Sequence, residues 1–320
     1  MDLRGALAWL ARHGNIVLAA GVFLGLMLPP LAALLRPLLV PAILAPFLIA
    51  LLRLDWSRLL HYLGRPDEAA TALLWLLLIA PVLVDLALRP LALSPAVHGA
   101  LVLAAAAPPV MASGNLALLL RLDAALAVLV TMLATALMPI TLPSVALYLL
   151  GVEIDLALGE LMLRLGLLVG GCLGVAALLR WLLPPGYIER HAAPLDGIAI
   201  LGLLLFAIAI MDGITAMLFE HPGFVLACTA AVYCLNVGLQ TLGALVFAWR
   251  GCASALTLGL CSGNRNVGLL LAAVADRASP EFLIIVAVAQ LPIYTLPALQ
   301  GRLYRRWLTR GRPLDRTMTC

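Results

Sequence analysis

The chain has 320 residues, of which 64% are hydrophobic and 11% charged, and its mean hydropathy is +1.10. A soluble domain usually carries about 25% charged residues, so this composition excludes an ordinary soluble protein and indicates a membrane protein. The formal net charge is +4, all basic residues are arginine, and nothing in their distribution indicates binding to nucleic acid.

The apolar segments of the chain predict its transmembrane helices, since a helix needs about 20 apolar residues to cross a bilayer. Ten candidate segments occur, in chain order, at residues 14–35, 37–52, 69–88, 95–120, 123–149, 158–183, 195–218, 222–249, 253–275 and 280–304. The first segment has no small-residue cleavage site after it, so we interpret it as a transmembrane helix rather than a removable signal.

The placement of arginine agrees with ten spans and predicts their orientation. If the N-terminus is inside, 15 arginines lie in inside segments and three in outside segments, while Arg164 and Arg265 lie within spans. An excess of arginine on the cytoplasmic side is the positive-inside rule. We therefore expect a multi-pass protein of a bacterial inner membrane, with both termini cytoplasmic and an arginine-rich tail that contacts anionic membrane lipid.

The tripeptide Ser-Gly-Asn occurs twice within apolar stretches, at residues 113–115 in span four and 262–264 in span nine. The two copies are five spans apart, and because this number is odd, the second copy enters the membrane from the opposite side. The sequence therefore predicts an all-α fold of two inverted five-helix repeats, residues 14–150 and 158–308, with broken, crossing helices four and nine. A basic cytoplasmic tail follows at residues 309–320.

The middle of span nine carries the clearest chemistry. Arg265 supplies a positive charge and a planar donor fork that suits carboxylate, sulfate or phosphate. Gly263 lets the backbone leave helical geometry, and the N–H groups that begin the second half-helix favour an anion. The alternative interpretation is that Arg265 pairs permanently with a buried acid and only fixes helix packing.

In span four, Pro108 and Pro109 remove two backbone donors and are expected to break the helix. If the two breaks cross, their polar residues surround one point near the middle of the membrane. The predicted substrate-binding residues are Ser113, Gly114, Asn115, Ser262, Gly263, Asn264, Arg265 and Asn266.

Four further residues are candidates for ion binding or coupling. Asp85 either forms an interfacial i,i+4 pair with Arg89, or serves as the counter-ion of Arg265 or as a proton carrier. Asn236 and Gln240 lie one turn apart and either line the cavity or bond between helices. Thr131 either contributes its hydroxyl to the site or bonds its own backbone. The sequence contains no catalytic, metal-binding or nucleotide-binding motif, so neither an enzyme nor a cofactor is predicted.

The stretches APPVMASGNLALLLRLDAALAVLVTMLATALMPITLP and GLCSGNRNVGLLLAAV resemble the bile acid:sodium symporter family, with fainter similarity over nearly the whole chain. The resemblance implies a core domain (spans three to five and eight to ten) that contains the crossed helices, and a panel domain (spans one, two, six and seven). It also implies a small-molecule organic anion as substrate, such as a bile salt, a steroid sulfate or a small carboxylate, usually driven by two sodium ions. The oligomeric state is not predicted.

The resemblance also places the family's sodium ligands. The family's Glu and Gln of span nine align with Cys261 and Arg265, and its next residue, Asn, aligns with Asn266. The Ser-Asn pair of span four aligns with Ser113 and Gly114, and of a hydroxyl pair in span five only Thr131 remains. We infer that Arg265 takes the place of a sodium ion as a tethered charge, which predicts sodium-independent transport.

Other functions stay open on the sequence alone. Sodium-coupled symport of the family's usual kind is the first alternative, and an ion/proton antiporter-like carrier is the second. A membrane enzyme or sensor on the same scaffold lacks a recognisable nucleophile and base. An arsenite-type exporter would have Cys261 as its only suitable thiol.

Overall fold

The computed structural model describes residues 3–54, 66–150, 158–274 and 277–310, and every regular element in these ranges is a helix. The junction between the two predicted repeats, residues 151–157, lies outside the described residues. The predicted tail does so as well from residue 311 onward.

In residues 3–54 and 66–150, which the structure describes before the junction, there are nine α-helices. They are α1 (Leu3–Arg12), α2 (Gly14–Met27), α3 (Pro29–Leu35), α4 (Leu39–Leu52), α5 (Pro66–Leu74), α6 (Ala80–Leu88), α7 (Pro95–Ala106), α8 (Ser113–Leu119) and α9 (Ala124–Leu150). A 3-10 turn, Arg36–Leu38, joins α3 to α4, and a π-helical turn, Trp75–Ile79, joins α5 to α6.

In residues 158–274 and 277–310, which the structure describes after the junction, there are eight α-helices. They are α10 (Leu158–Leu182), α11 (Tyr187–Arg190), α12 (Ala192–Ala209), α13 (Ile214–Glu220), α14 (Pro222–Val246), α15 (Cys252–Gly263), α16 (Val267–Val274) and α17 (Pro280–Arg310).

Within the described residues, seven continuous helical segments are long and apolar enough to cross a membrane, and a bent pair, Gly5–Arg12 with Ile16–Met27, raises the number to eight. The boundary between the first two spans lies at a different residue from the one predicted. The sequence placed their boundary at Arg36, whereas the helix breaks at Leu28 and then runs from Pro29 to Leu52. Leu28 precedes a proline and so avoids helical geometry, while Pro29 suits the first position of a helix. Pro37 lies in the first turn of the 3-10 segment, where its missing N–H costs little.

The helices pack in two sets, and each set combines elements from both halves of the chain. In the first set, α1 to α4 pack around α12, and α10 packs on α4. In the second set, α5 to α9 pack with α14 to α17. The first set is closely packed because glycines allow backbones to approach: a Cβ on Gly25 would lie 2.7 Å from the carbonyl oxygen of Ile208. The second set contains both interrupted helices.

Candidate functional site

The first interruption lies between α7 and α8, where the sequence predicted it. Ala107 is extended, with φ −62° and ψ 149°, as expected for a residue that precedes a proline. Pro108 and Pro109 supply no N–H groups, and the chain becomes helical again at Ser113. This geometry leaves the carbonyl groups at the end of α7 without their usual helical donors.

The second interruption lies between α15 and α16, where Asn264 is extended with φ −88° and ψ 93°. The two interruptions lie side by side in antiparallel orientation, joined by two backbone hydrogen bonds. Val110 N donates to Asn264 O at 2.9 Å, and Asn266 N donates to Pro108 O at 2.7 Å. Each broken segment therefore supplies hydrogen-bond partners for the other, as a membrane interior without water requires.

Arg265 lies at this junction and is 4% exposed. Its Nε donates to Ser262 O at 2.6 Å, and its Nη1 donates to Leu76 O and Ala107 O, each at 3.0 Å. No acidic side chain within the described ranges forms an ion pair with it. The alternative role considered for Arg265, permanent pairing with a buried acid, therefore finds no support in these ranges.

Each of the three carbonyl oxygens that accept hydrogen bonds from Arg265 lacks the backbone N–H donor that it would have in a regular helix. Ala80 N bonds to Trp75 O in the π turn, and Pro81 has no N–H, so Leu76 O has no backbone partner. Ala107 O lies just beyond the end of α7. In a continuous helix Asn266 N would donate to Ser262 O, but here it donates to Pro108 O instead. Arg265 thus joins three separate segments by satisfying carbonyls that their own helices leave free.

Beside Arg265, three helices bring together the hydroxyls of Ser113 and Thr131 and the thiol of Cys261, which are all buried. Both hydroxyls lie near the Cys261 sulfur, and the guanidinium acts on that sulfur electrostatically. Apart from the thiol, neither hydroxyl has a hydrogen-bond partner among the described residues, and the Nη2 atom of Arg265 has none either. Ser113, predicted as a substrate-binding residue, and Thr131, predicted as a candidate for ion binding or coupling, therefore both lie beside Cys261.

Asn236 and Gln240 form bonds between helices, which is one of the two roles considered for them. Tyr304 Oη donates to Gln240 Oε1 at 2.8 Å, and Gln240 Nε2 donates to Asn236 Oδ1 at 2.6 Å. Asn236 Nδ2 then donates to Gly263 O at 3.0 Å and contacts Asn264 Oδ1 at 3.4 Å. This chain of bonds fixes the end of α15 against α14 and α17. Tyr304 was not predicted from the sequence, because only its bond to Gln240 reveals its part in the site.

Close packing, rather than the backbone freedom predicted for Gly263, explains the glycines of the two Ser-Gly-Asn copies. Neither Gly114 nor Gly263 has a positive φ, so neither is needed for a left-handed backbone. A Cβ on Gly114 would lie 2.5 Å from Val128 Cγ2, and a Cβ on Gly263 would overlap the backbone of Asn236 and the side chain of Gln240. Both glycines are required by close helix contact rather than by conformational freedom.

We expect Gly263→Ala to lower the stability of the folded protein by about 1–3 kcal/mol, because the added methyl group overpacks the α14–α15 contact. Gly238→Ala is the matched control, since Gly238 lies inside α14 and has open space around its Cβ position. Thermal unfolding in detergent measures both: the melting temperature should fall for Gly263→Ala and stay level or rise for the control. Equal melting temperatures for the two variants would contradict the packing explanation.

Of the remaining predicted site residues, Ser262 and Asn266 lie at the junction and Asn115 lies apart from it. Ser262 accepts a hydrogen bond from Trp75 Nε1 at 2.8 Å, and Asn266 Oδ1 accepts one from Leu269 N at 3.3 Å at the start of α16. Asn115 is exposed, so it does not join the buried group. Successive helical residues are separated by about 100°, so Ser113 and Gly114 face inward while Asn115 turns away.

Asp85 lies apart from Arg265 and is fully engaged elsewhere. Its Oδ2 accepts hydrogen bonds from Arg89 Nε and Nη2, at 3.0 and 2.7 Å, and its Oδ1 lies 2.8 Å from His98 Nε2. The i,i+4 pair with Arg89 is the interpretation that the structure supports, and the role of counter-ion to Arg265 is wrong. His98, on α7, was missed because its contact with Asp85 depends on the α6–α7 turn.

A sequence-profile comparison identifies the family. The profile of the Sodium Bile acid symporter family matches residues 37–220, which is more than half of the chain. The chain belongs to this family. A search of curated proteins returned no significant match to an individual relative.

Membership of the sodium bile acid symporter family, together with the apolar helices, makes the chain a multi-pass membrane transport protein of the symporter class. Members of the family are transporters rather than enzymes and take small molecules such as organic anions. The match ends at residue 220, so the second interruption and Arg265 lie beyond it. The family match therefore says nothing about Arg265, and the role of this residue follows from its own contacts.

Proposed function

We propose that the protein is a secondary transporter of an organic anion, with Arg265 as a built-in cation in place of bound sodium. The observation that carries this proposal is the set of bonds from Arg265 to Ser262 O, Leu76 O and Ala107 O. Three carbonyl oxygens from three segments, held in a closed membrane interior, are the type of ligand that a dehydrated cation prefers. Here a guanidinium occupies that position.

The residues at the family's sodium positions do not suit sodium in this chain. The carboxylate that the family carries in span nine is replaced by the thiol of Cys261, which offers a soft sulfur rather than an oxygen. Arg265 brings a permanent positive charge to the same place, and it cannot ligate a cation. Both changes remove an oxygen ligand and make the charge of the site more positive, so they act in the same direction.

The architecture proposed for this function is two inverted five-helix repeats, at residues 14–150 and 158–308. Seven continuous spans, the bent pair and the two interrupted helices, all within the described residues, support this proposal because together they make ten. We assign the first packing set to the panel domain and the second to the core domain. Movement of one set against the other would expose the junction alternately to the two sides of the membrane.

The substrate anion is proposed to bind near the antiparallel junction, where backbone groups and Arg265 provide positive potential. The residues that the junction brings together are Ser113, Gly114, Ser262, Gly263, Asn264, Arg265 and Asn266. The proposed location is a bacterial inner membrane with both termini in the cytoplasm, and the support for it is the arginine distribution.

Transport by protein reconstituted in liposomes tests the proposal. Uptake of a bile salt, a steroid sulfate and a small carboxylate is measured in sodium medium and in choline medium of equal ionic strength. We expect at least one substrate to be taken up equally well in both media. Uptake that requires a sodium gradient would contradict the proposal and favour the family's usual symport, whereas exchange of cations for protons without uptake of any organic anion would favour the antiporter-like alternative.

A further inference from the structure

A cavity of about 390 Å³ lies at the edge of the first packing set, among residues at the ends of α4, α10, α11 and α12. Its wall includes Arg53, which follows α4, Arg180 near the end of α10, and Glu189 on α11. None of the residues that line it belongs to the junction around Arg265. Ligand cavities usually measure about 300–1,000 Å³, so this one suits a small polar group better than a bulky substrate such as a bile salt.

The cavity lies at the level of a membrane surface. Three of the candidate spans begin or end beside it, at Leu52, Leu182 and Ala192. The neighbouring aromatic residues Trp181 and Tyr187 are 80% and 42% exposed. Tryptophan and tyrosine concentrate where a membrane protein meets the lipid headgroups. The cavity is therefore within reach of a headgroup in the surrounding bilayer.

The wall of the cavity carries charges of both signs that do not pair with each other. Arg180 Nη1 donates to Leu52 O at 2.6 Å and to Leu54 O at 3.1 Å, whereas its Nε and Nη2 atoms have no acceptor among the described residues. Within the same ranges, neither Arg180 nor Glu189 forms an ion pair. One cavity is thus shared by an unpaired cation and an unpaired anion that are too far apart to neutralise each other.

A ligand with a phosphate at one end and a primary ammonium group at the other matches this arrangement. The planar donors of a guanidinium suit the oxygen atoms of phosphate. Arg53 adds a second guanidinium to the wall, and its ion pair with Asp196 holds it in place. A carboxylate such as that of Glu189 accepts hydrogen bonds from a primary ammonium group, whereas a quaternary ammonium group has no N–H to donate.

We propose that this cavity binds the headgroup of a phospholipid that carries a primary ammonium group, with the phosphate at Arg180 and Arg53 and the ammonium group at Glu189. The bound lipid links the ends of α4 and α10 to α11 and so stabilises the first packing set. The proposal does not depend on the transported substrate or on the coupling ion. Sodium-dependent uptake in liposomes would therefore overturn the proposed function and leave the lipid site unchanged.

Thermal unfolding of the purified protein in detergent micelles that contain added lipid tests the proposal. The melting temperature is compared with phosphatidylethanolamine, phosphatidylcholine and phosphatidylglycerol at equal mole fractions. We expect phosphatidylethanolamine to raise it most, because a ligand that binds only the folded state stabilises it. The choline headgroup has no N–H for Glu189, and the glycerol headgroup has no positive charge. The mole fraction of lipid that gives half of the rise measures the affinity.

Glu189→Gln removes the charge and keeps the size of the side chain, and because Glu189 is exposed, the fold should tolerate the change. We expect the affinity for phosphatidylethanolamine to fall by about tenfold, since a hydrogen bond between charged groups is lost. The preference over phosphatidylglycerol should disappear as well. Glu220→Gln is the matched control, because Glu220 is also an exposed glutamate at the end of a helix but does not line the cavity. It should keep the response of the wild-type protein.

Soluble phosphoethanolamine separates a lipid from a free compound with the same chemistry. A rise in melting temperature with phosphoethanolamine but none with phosphatidylethanolamine would assign the cavity to a soluble ligand and overturn the lipid site. Equal effects of the three lipids on the wild-type protein would show only a general effect of lipid and would overturn it too. So would equal affinities of Glu189→Gln and Glu220→Gln for phosphatidylethanolamine.

Discussion

Arg265→Ala is expected to lower the initial rate of organic-anion uptake by about two orders of magnitude, since loss of one partner of a buried, charged contact costs about 2–5 kcal/mol. The variant loses the positive charge at the junction and leaves Ser262 O, Leu76 O and Ala107 O without their donor. Each buried carbonyl left unpaired costs about 1–3 kcal/mol, so the melting temperature should fall as well. Uptake is measured in liposomes and divided by the amount of correctly folded protein.

Two further variants separate charge from simple damage to the fold. Arg265→Lys keeps a positive charge but loses the planar fork, so we expect partial uptake. Arg164→Gln is the matched control, because Arg164 is also an arginine within a span but pairs with Glu160 at 2.9 Å. Full uptake by folded Arg265→Ala would contradict a role of Arg265 in transport. An equal loss of uptake in Arg164→Gln would show that any intramembrane arginine is needed.

The two interruptions could be predicted from the sequence because their causes are local. Pro108 and Pro109 remove backbone donors, and the second Ser-Gly-Asn copy occurs inside an apolar segment with Arg265 next to it. The charge of Arg265 in a span also marked it as functional or tightly bonded. These signals depend on residue type and position alone, so they are visible before any packing is known.

The partners of these residues could not be predicted in the same way. Leu76 contributes only a backbone carbonyl, and the one sequence signal for it is Pro81, whose missing N–H matters only because a π turn precedes it. Gly263 was predicted to free the backbone, whereas its close contact with α14 becomes apparent only in the packed structure. The exposure of Asn115 likewise depends on the direction in which α8 leaves the break.

Combining Cys261→Glu with Arg265→Gln is expected to produce a protein that binds sodium. The two substitutions restore the residue types that the family carries at the aligned positions. The introduced carboxylate would lie beside the Ser113 and Thr131 hydroxyls, and the loss of the guanidinium would free the three carbonyls that it now occupies. The resulting site would consist of oxygen ligands with one negative charge, which suits a hard cation.

Neither single substitution should create a sodium site, and the reason differs between the two. Cys261→Glu alone places a carboxylate beside Arg265, so the two form a buried pair and leave no charge for sodium. Arg265→Gln alone frees the carbonyls but supplies no negative charge. Only the double variant has both, so its response to sodium should exceed the sum of the responses of the single variants.

Thermal unfolding in sodium chloride and in choline chloride of equal ionic strength measures the response. Sodium at about 100 times its dissociation constant should stabilise the double variant by roughly 2.7 kcal/mol, whereas the wild-type protein and both single variants should show no sodium-specific shift. A sodium-specific shift in the wild-type protein would contradict Arg265 as the built-in cation. A folded double variant without a shift would mean that the carbonyl groups around Arg265 do not form a cation site, and Arg265 would then serve only to hold the interrupted helices together.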